Sequence, residues 1–169
     1  MVRMAKTSIT TLNMKRKFDV PAEKVFDAWT KADTIKKWMF TMEHTNKVAE
    51  SDPRVGGTWE IVDHRDGKDY RAIGEYKVVE PPTKLVFTFK MPQFSDLEDD
   101  ITVEIKSLES GCEMIFTQEI NVIHEKDWTT VDIQKAHEDW KKETEQGWHY
   151  MFLGLKELVE TGKITYPSF

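Results

Sequence analysis

Near its C-terminus this chain of 169 residues carries one stretch that every other segment has to accommodate. Over residues 138–161, Trp140, Thr144, Trp148, Met151, Phe152, Leu155, Leu158 and Val159 recur at steps of three and four. That spacing puts them on one face of a long α-helix. Lys141, Lys142, Glu143, Glu145, Lys156, Glu157 and Glu160 fill the other face, and Gly162 follows as a C-cap. A long apolar stripe needs an equally extended apolar partner. The upstream segments read mostly as short strands, so a curved antiparallel sheet wrapped around this helix is expected. Gly147 and Gly154 interrupt the helix, each at about 1 kcal/mol relative to alanine. They are seven apart and lie near one face. Close packing of helix on sheet is the expected reason; the other reading is room left beside the helix for a ligand.

In chain order, residues 8–20 alternate, with Leu12, Met14, Arg16, Phe18 and Val20 in one phase of a half-buried strand. Arg16 either packs its stem while its head reaches water or points into a cavity. Pro21 opens a short helix with Val25, Phe26 and Trp29 inward. Asp33 can cap a second, with Ile35, Trp38 and Met39 inward. Residues 44–50 form a weakly alternating strand, and 51–57 a turn. A strand bearing Trp59 and Ile61 leads to the hairpin signal Asp66-Gly67. The next strand, about 70–79, ends at Pro81-Pro82. Leu85, Phe87, Phe89 and Met91 share one phase of a fifth strand. After an acid-rich loop over 92–100, Ile101, Val103 and Ile105 mark a sixth. Ser110-Gly111 turns into a seventh, with Cys112, Met114, Phe116, Gln118, Ile120 and Val122 in phase. Residues 124–137, anchored by Trp128, Val131 and Ile133, are read as a short helix that leads into the long one. Ile164, Tyr166 and Phe169 mark a tail that docks or frays.

The bulk numbers exclude several functions. The net charge is −6, and no broad basic field exists of the kind nucleic-acid binding needs. Arg3, Lys6, Lys15, Arg16 and Lys17 make a modest basic arm, read as an end plus a strand. Cys112 is the single cysteine, so no intrachain disulfide forms and a reducing compartment is expected. No run resembles a signal peptide or is long enough to span a bilayer. The cytoplasm is therefore the expected location, with no membrane partner. His44, His64, His124, His137 and His149 fall into no metalloprotease pattern, and Cys112 has no partner at metal-ligand spacing. Gly56-Gly57 lacks the Lys and helix of a phosphate loop. The acids of residues 96–100 read as a solvated loop rather than a cation site. No catalytic residue, metal or cofactor is expected.

Six Trp, nine Phe and four Tyr remain as the signal. Most must be core, yet a curved sheet under one helix cannot always fill its concave side. Trp38, Phe40, Trp59, Tyr76, Phe87, Phe89, Phe116, Trp148 and Phe152 are the candidate walls of such a space. Arg16, His64 and Gln118 are its candidate polar groups, because ligand sites are mostly apolar with few convergent polar groups. A fully filled core fits this pattern nearly as well.

The element order is that of the α+β helix-grip plan: strand, two short helices, six strands, long helix. One domain is expected over 1–169, its core over about 9–161, with six to seven strands. More specific are Arg16-x-Phe18-x-Val20-Pro21, Val25-Phe26-x-Ala28-Trp29-Thr30 and Trp38. Asp52-x-Arg54-x-Gly56-Gly57, Gly74-x-Tyr76, Pro81-Pro82-x-x-Leu85-Val86-Phe87-Thr88 and Gly147-Trp148 follow. Together these resemble the START-like superfamily, and within it the branch of activator of heat-shock-ninety ATPase homologue-like proteins. The resemblance covers about residues 9–160. It implies a hydrophobic cavity between sheet and C-terminal helix, and it tips the choice above toward a cavity. It implies, too, a small binding protein for an apolar or aromatic molecule. Its alternatives are a cyclase- or dehydratase-type enzyme using Arg16 or His64, and a module that contacts a chaperone ATPase. The co-chaperone that names the branch has a large N-terminal domain with no counterpart here. Gln118 departs from many relatives, which place His nearby.

Overall fold

The computed structural model describes residues 6–165. Arg3 of the basic arm, and Tyr166 and Phe169 of the tail, lie outside the described residues. In chain order the elements are β1 (Thr7–Phe18), α1 (Ala22–Thr30), α2 (Ala32–Trp38), β2 (Asn46–Ser51), β3 (Thr58–Arg65) and β4 (Lys68–Glu80). Then come β5 (Lys84–Phe89), β6 (Asp99–Ser107), β7 (Cys112–Ile123) and α3 (Thr130–Thr161). The strands form one seven-stranded sheet in the order β1-β7-β6-β5-β4-β3-β2, with every pairing antiparallel. The helix-grip plan expected from the sequence is the one observed.

Local chemistry explains most boundaries. Asp66 and Gly67 adopt φ of 53° and 73°, as the two-residue turn joining β3 to β4 requires. Pro21 is the N-cap of α1 rather than its first helical residue. Lys31, in extended conformation, occupies the N-cap of α2 in place of Asp33, which lies in the first turn. There a carboxylate complements the helix dipole.

The long helix is 32 residues, not 24, because the short helix expected to lead into it is continuous with it and forms the first turns of α3. The reason is a capping box. Thr129 Oγ1 accepts from the Asp132 N–H at 3.2 Å, and Asp132 returns the favour to the Thr129 N–H at 2.9 Å. Helix therefore starts there and nothing interrupts it before Gly162, which ends it at φ 92°. Hydrogen bonds to it from the Thr129 backbone N–H and then the Thr129 hydroxyl hold the Asp132 carboxyl below its ordinary range.

Only the C-terminal half of α3 is gripped. Trp148, Phe152, Leu155, Leu158 and Val159 are buried, whereas Trp140 is 52% exposed. Trp29, delivered by α1, explains why the space beneath that half is full. Its ring lies 4.8 Å from Trp38, 5.8 Å from Trp148, 5.9 Å from Phe87, 6.1 Å from Phe152 and 6.2 Å from Phe116. Each such aromatic contact adds about 0.5–1.5 kcal/mol beyond area burial.

The N-terminal half of α3 is fastened by a clasp. Ser8 Oγ on β1 lies 2.6 Å from Nε2 of His124 and 2.6 Å from Nε2 of His137. A hydroxyl can donate to one ring and accept from the other, so both bonds form together. Ser8→Ala is expected to lower the stability of this half by about 1 kcal/mol. Hydrogen exchange checks it: amides of 130–147 should lose protection while those of 148–161 keep theirs.

Candidate ligand-binding groove

The period-two phase of β7 turns Met114, Phe116, Gln118 and Ile120 inward, and all four are buried. Gln118 thus places an amide among apolar neighbours, 2% exposed, where an unmet hydrogen bond would be costly. Its oxygen accepts from Trp148 Nε1 at 2.7 Å, and its nitrogen donates to Asp99 Oδ2 at 2.8 Å. The other Asp99 oxygen accepts from Asn121 N at 3.0 Å and Asn121 Nδ2 at 3.1 Å. An indole on the helix is thereby linked through an amide to a carboxylate at the start of β6.

This relay floors a groove of about 430 Å³ between the sheet and the N-terminal half of α3. Phe40, Phe89, Trp148 and Met151 line its walls. Phe94 and Trp140, 70% and 52% exposed, stand at its rim. A Cβ built on Gly147 meets nothing within 4 Å. The packing role expected for this glycine is therefore corrected: it leaves space on the groove side. Gly154 does not pack on the sheet either. Its Cβ would lie 3.5 Å from Ile164 Cδ1 in the tail.

A second groove, of about 700 Å³, runs between α2, β3–β4 and the later turns of α3. Asp63 lies on it, 2% exposed. Its carboxylate accepts from Thr41 Oγ1 at 2.9 Å and Thr45 Oγ1 at 2.5 Å, and meets Arg65 Nε at 3.3 Å. The two grooves share Phe40, Met91, Phe94 and Met151. Phe40 carries φ of 58° just past the C-cap of α2, where glycine is usual. A bulky residue held there costs of order 1–3 kcal/mol. Its ring stacks on Phe89 at 5.0 Å and meets Trp148 edge-on at 5.1 Å.

Of the residues expected to surround a cavity, Phe40, Phe89, Gln118 and Trp148 lie on the first groove, and Trp38 and Phe40 on the second. Trp59, Tyr76, Phe87, Phe116 and Phe152 are buried in the core instead. Burial pushes the Tyr76 phenol up to about 12, and its hydroxyl pairs with Ser51 Oγ at 2.7 Å. Arg16 reaches neither groove. Its guanidinium sits 5.9 Å from the Phe152 ring and 3.0 Å from His149 Nδ1, at the opposite side of α3. His64 is at the β3–β4 hairpin, 2.6 Å from Asp69 Oδ1. Hydrogen bonds from Lys47 and then His64 hold the Asp69 carboxyl below its usual range.

Met91, Phe94, Asp99, Asn121, Trp140 and Met151 line the first groove without having been assigned to a site. Asp99 stands two before Ile101, in the inward phase of β6, a signal masked by the acidic neighbours that make residues 96–100 resemble a solvated loop. Among the described residues no group of three or more His, Cys, Asp or Glu is placed to hold a metal. No helix among them is long and apolar enough to cross a membrane.

A family model described as "Activator of Hsp90 ATPase homolog 1-like protein" matches residues 19–160. A protein of unknown function from Staphylococcus aureus is 28% identical with a TM-score of 0.86, over 93% of this chain and 97% of that one. An uncharacterised protein from Rhizobium leguminosarum shares the fold at 18% identity and a TM-score of 0.70, over 94% and 99% of the two chains. So does the Aha1 dimer of Colwellia psychrerythraea, at 19% and 0.63, over 91% and 98%. No curated protein matches the chain.

Proposed function

We propose a function from one premise, that this chain belongs to the activator of Hsp90 ATPase homologue 1-like family, whose model spans residues 19–160. The chain is a binding protein that shelters an apolar or aromatic small molecule in the groove beside the N-terminal half of α3. One observation carries this reading: Gly147 faces open space one residue before the fully packed Trp148. A helix interior glycine is a standing penalty of about 1 kcal/mol, and here no packing contact requires it. The strained backbone of Phe40 at the junction of the two grooves supports the reading. The enzyme alternative is weakened, since Arg16 and His64 both lie away from the grooves.

The test is titration with a neutral fluorescent probe, N-phenylnaphthylamine, read by quenching of tryptophan emission. Wild type should bind it saturably. Gly147→Ala should raise stability by about 1 kcal/mol, because the added Cβ has room and alanine favours helix. Gly147→Leu should fold equally well and lose the probe, because its side chain occupies the groove. Undiminished binding by Gly147→Leu would overturn the proposal. The family match favours a second reading, contact with a chaperone ATPase. It expects the protein to stimulate that ATPase whether or not residue 147 is filled.

A further inference from the structure

The polar end of the first groove restricts what it can hold, and this inference rests on the reading of that groove as a binding site. We propose that its ligand is a protonated amine with an apolar or aromatic body, the ammonium against Asp99 and the body against Phe40, Phe89 and Trp148.

The relay dictates the polarity. An indole N–H only donates, so the Gln118 oxygen must face Trp148 and the Gln118 nitrogen must face Asp99. Asn121 also reaches Asp99 through N–H groups alone. One donor and one acceptor position of the Gln118 amide are thus committed, and each of the three bonds into Asp99 ends on an acceptor. A carboxylate has about four acceptor sites. Oδ1 takes two bonds and Oδ2 one, which leaves an acceptor position on Oδ2. A ligand that bonds to Asp99 must bring a donor, and a positive donor gains most. Asp100, beside Asp99 in the chain, is taken by Lys77 at 2.8 Å, so that cation is not available to Asp99. The groove lining carries one cation, Lys90, and one acid, Asp99. Aromatic faces attract a cation as well as an apolar body, so the walls serve both parts of such a molecule.

Naphthylmethylamine, naphthalenemethanol and naphthoic acid share a body and differ in head group. Calorimetric titration of wild type at neutral pH should rank amine over alcohol by about tenfold, the gain of a charged over a neutral hydrogen bond, with the acid weakest. Asp99→Asn should abolish the preference for the amine over the alcohol. Should that variant fail to fold, the wild-type ranking still decides, and Gly147→Leu must abolish amine binding. Alcohol or acid binding as tightly as the amine would overturn this inference while leaving the groove reading intact. Amine preference that survives in Gly147→Leu would overturn it as well. No binding of any of the three, with the neutral probe also failing, would overturn both.

Discussion

Replacing Trp148 by alanine is expected to remove about 3–5 kcal/mol of folding stability. The indole is 2% exposed. Phe116 lies 4.7 Å from it, Phe40 5.1 Å, Phe152 5.4 Å and Trp29 5.8 Å. It is the last residue toward the N-terminus of α3 at which helix and sheet close completely. Truncation removes this packing and strips Gln118 of its donor. Whole domains are stable by only about 5–15 kcal/mol, so the variant should sit near its unfolding limit. Denaturant unfolding would show a lower midpoint at unchanged slope. Trp148→Phe keeps a ring in place and loses the hydrogen bond, which should cost about 1–3 kcal/mol. The residue also lines the first groove, so the alanine variant that does fold should bind a bulkier probe than wild type. An alanine variant within about 1 kcal/mol of wild type, well under a core truncation, would mean that the helix is not held at this point.

Gly74→Ala should be comparably severe, for the opposite reason. A Cβ at residue 74 would lie 1.8 Å from the Thr88 carbonyl oxygen and 2.4 Å from Trp59 Nε1. The first neighbour is backbone of β5 and cannot swing aside. The second belongs to an indole 3% exposed that donates to that same carbonyl at 3.2 Å. Here β4 and β5 pair irregularly: the Glu75 N–H bonds to Thr88 Oγ1 at 2.9 Å, and the register shifts between Tyr76 and Val78. Glycine lets Trp59 cross the strand at this irregularity. Adding one methyl should cost about 3 kcal/mol, the upper end for overpacking. Adding Trp59→Phe should not rescue it, because the carbonyl clash remains. Thermal unfolding followed by circular dichroism checks both variants, and a wild-type melt for Gly74→Ala would contradict the close approach.

The sequence by itself determined what depends on neighbours along the chain. Period-two phase identified the inward residues of β6 and β7, including Gln118. Asp66-Gly67 required the turn between β3 and β4, and the stripe from Trp140 to Val159 with Gly162 located α3 and its end, although Trp140 is exposed. Thr129-x-x-Asp132 was an equally local signal for the helix start. It went unread because the stretch after it lacks apolar periodicity. What the sequence could not decide was which of the inward-facing residues meet protein and which meet space. Trp29 fills the concave side from a helix 119 residues before Trp148, so Phe116 and Phe152 became core. The opening moved to where α3 overshoots that filling, at Gly147. Arg16 shares a phase with Met14 and Phe18, yet it faces His149 and Phe152 on the side of α3 away from both grooves. Periodicity reports the direction in which a side chain points. What stands opposite depends on volumes brought in by segments far away in sequence, and only the tertiary structure sums those volumes.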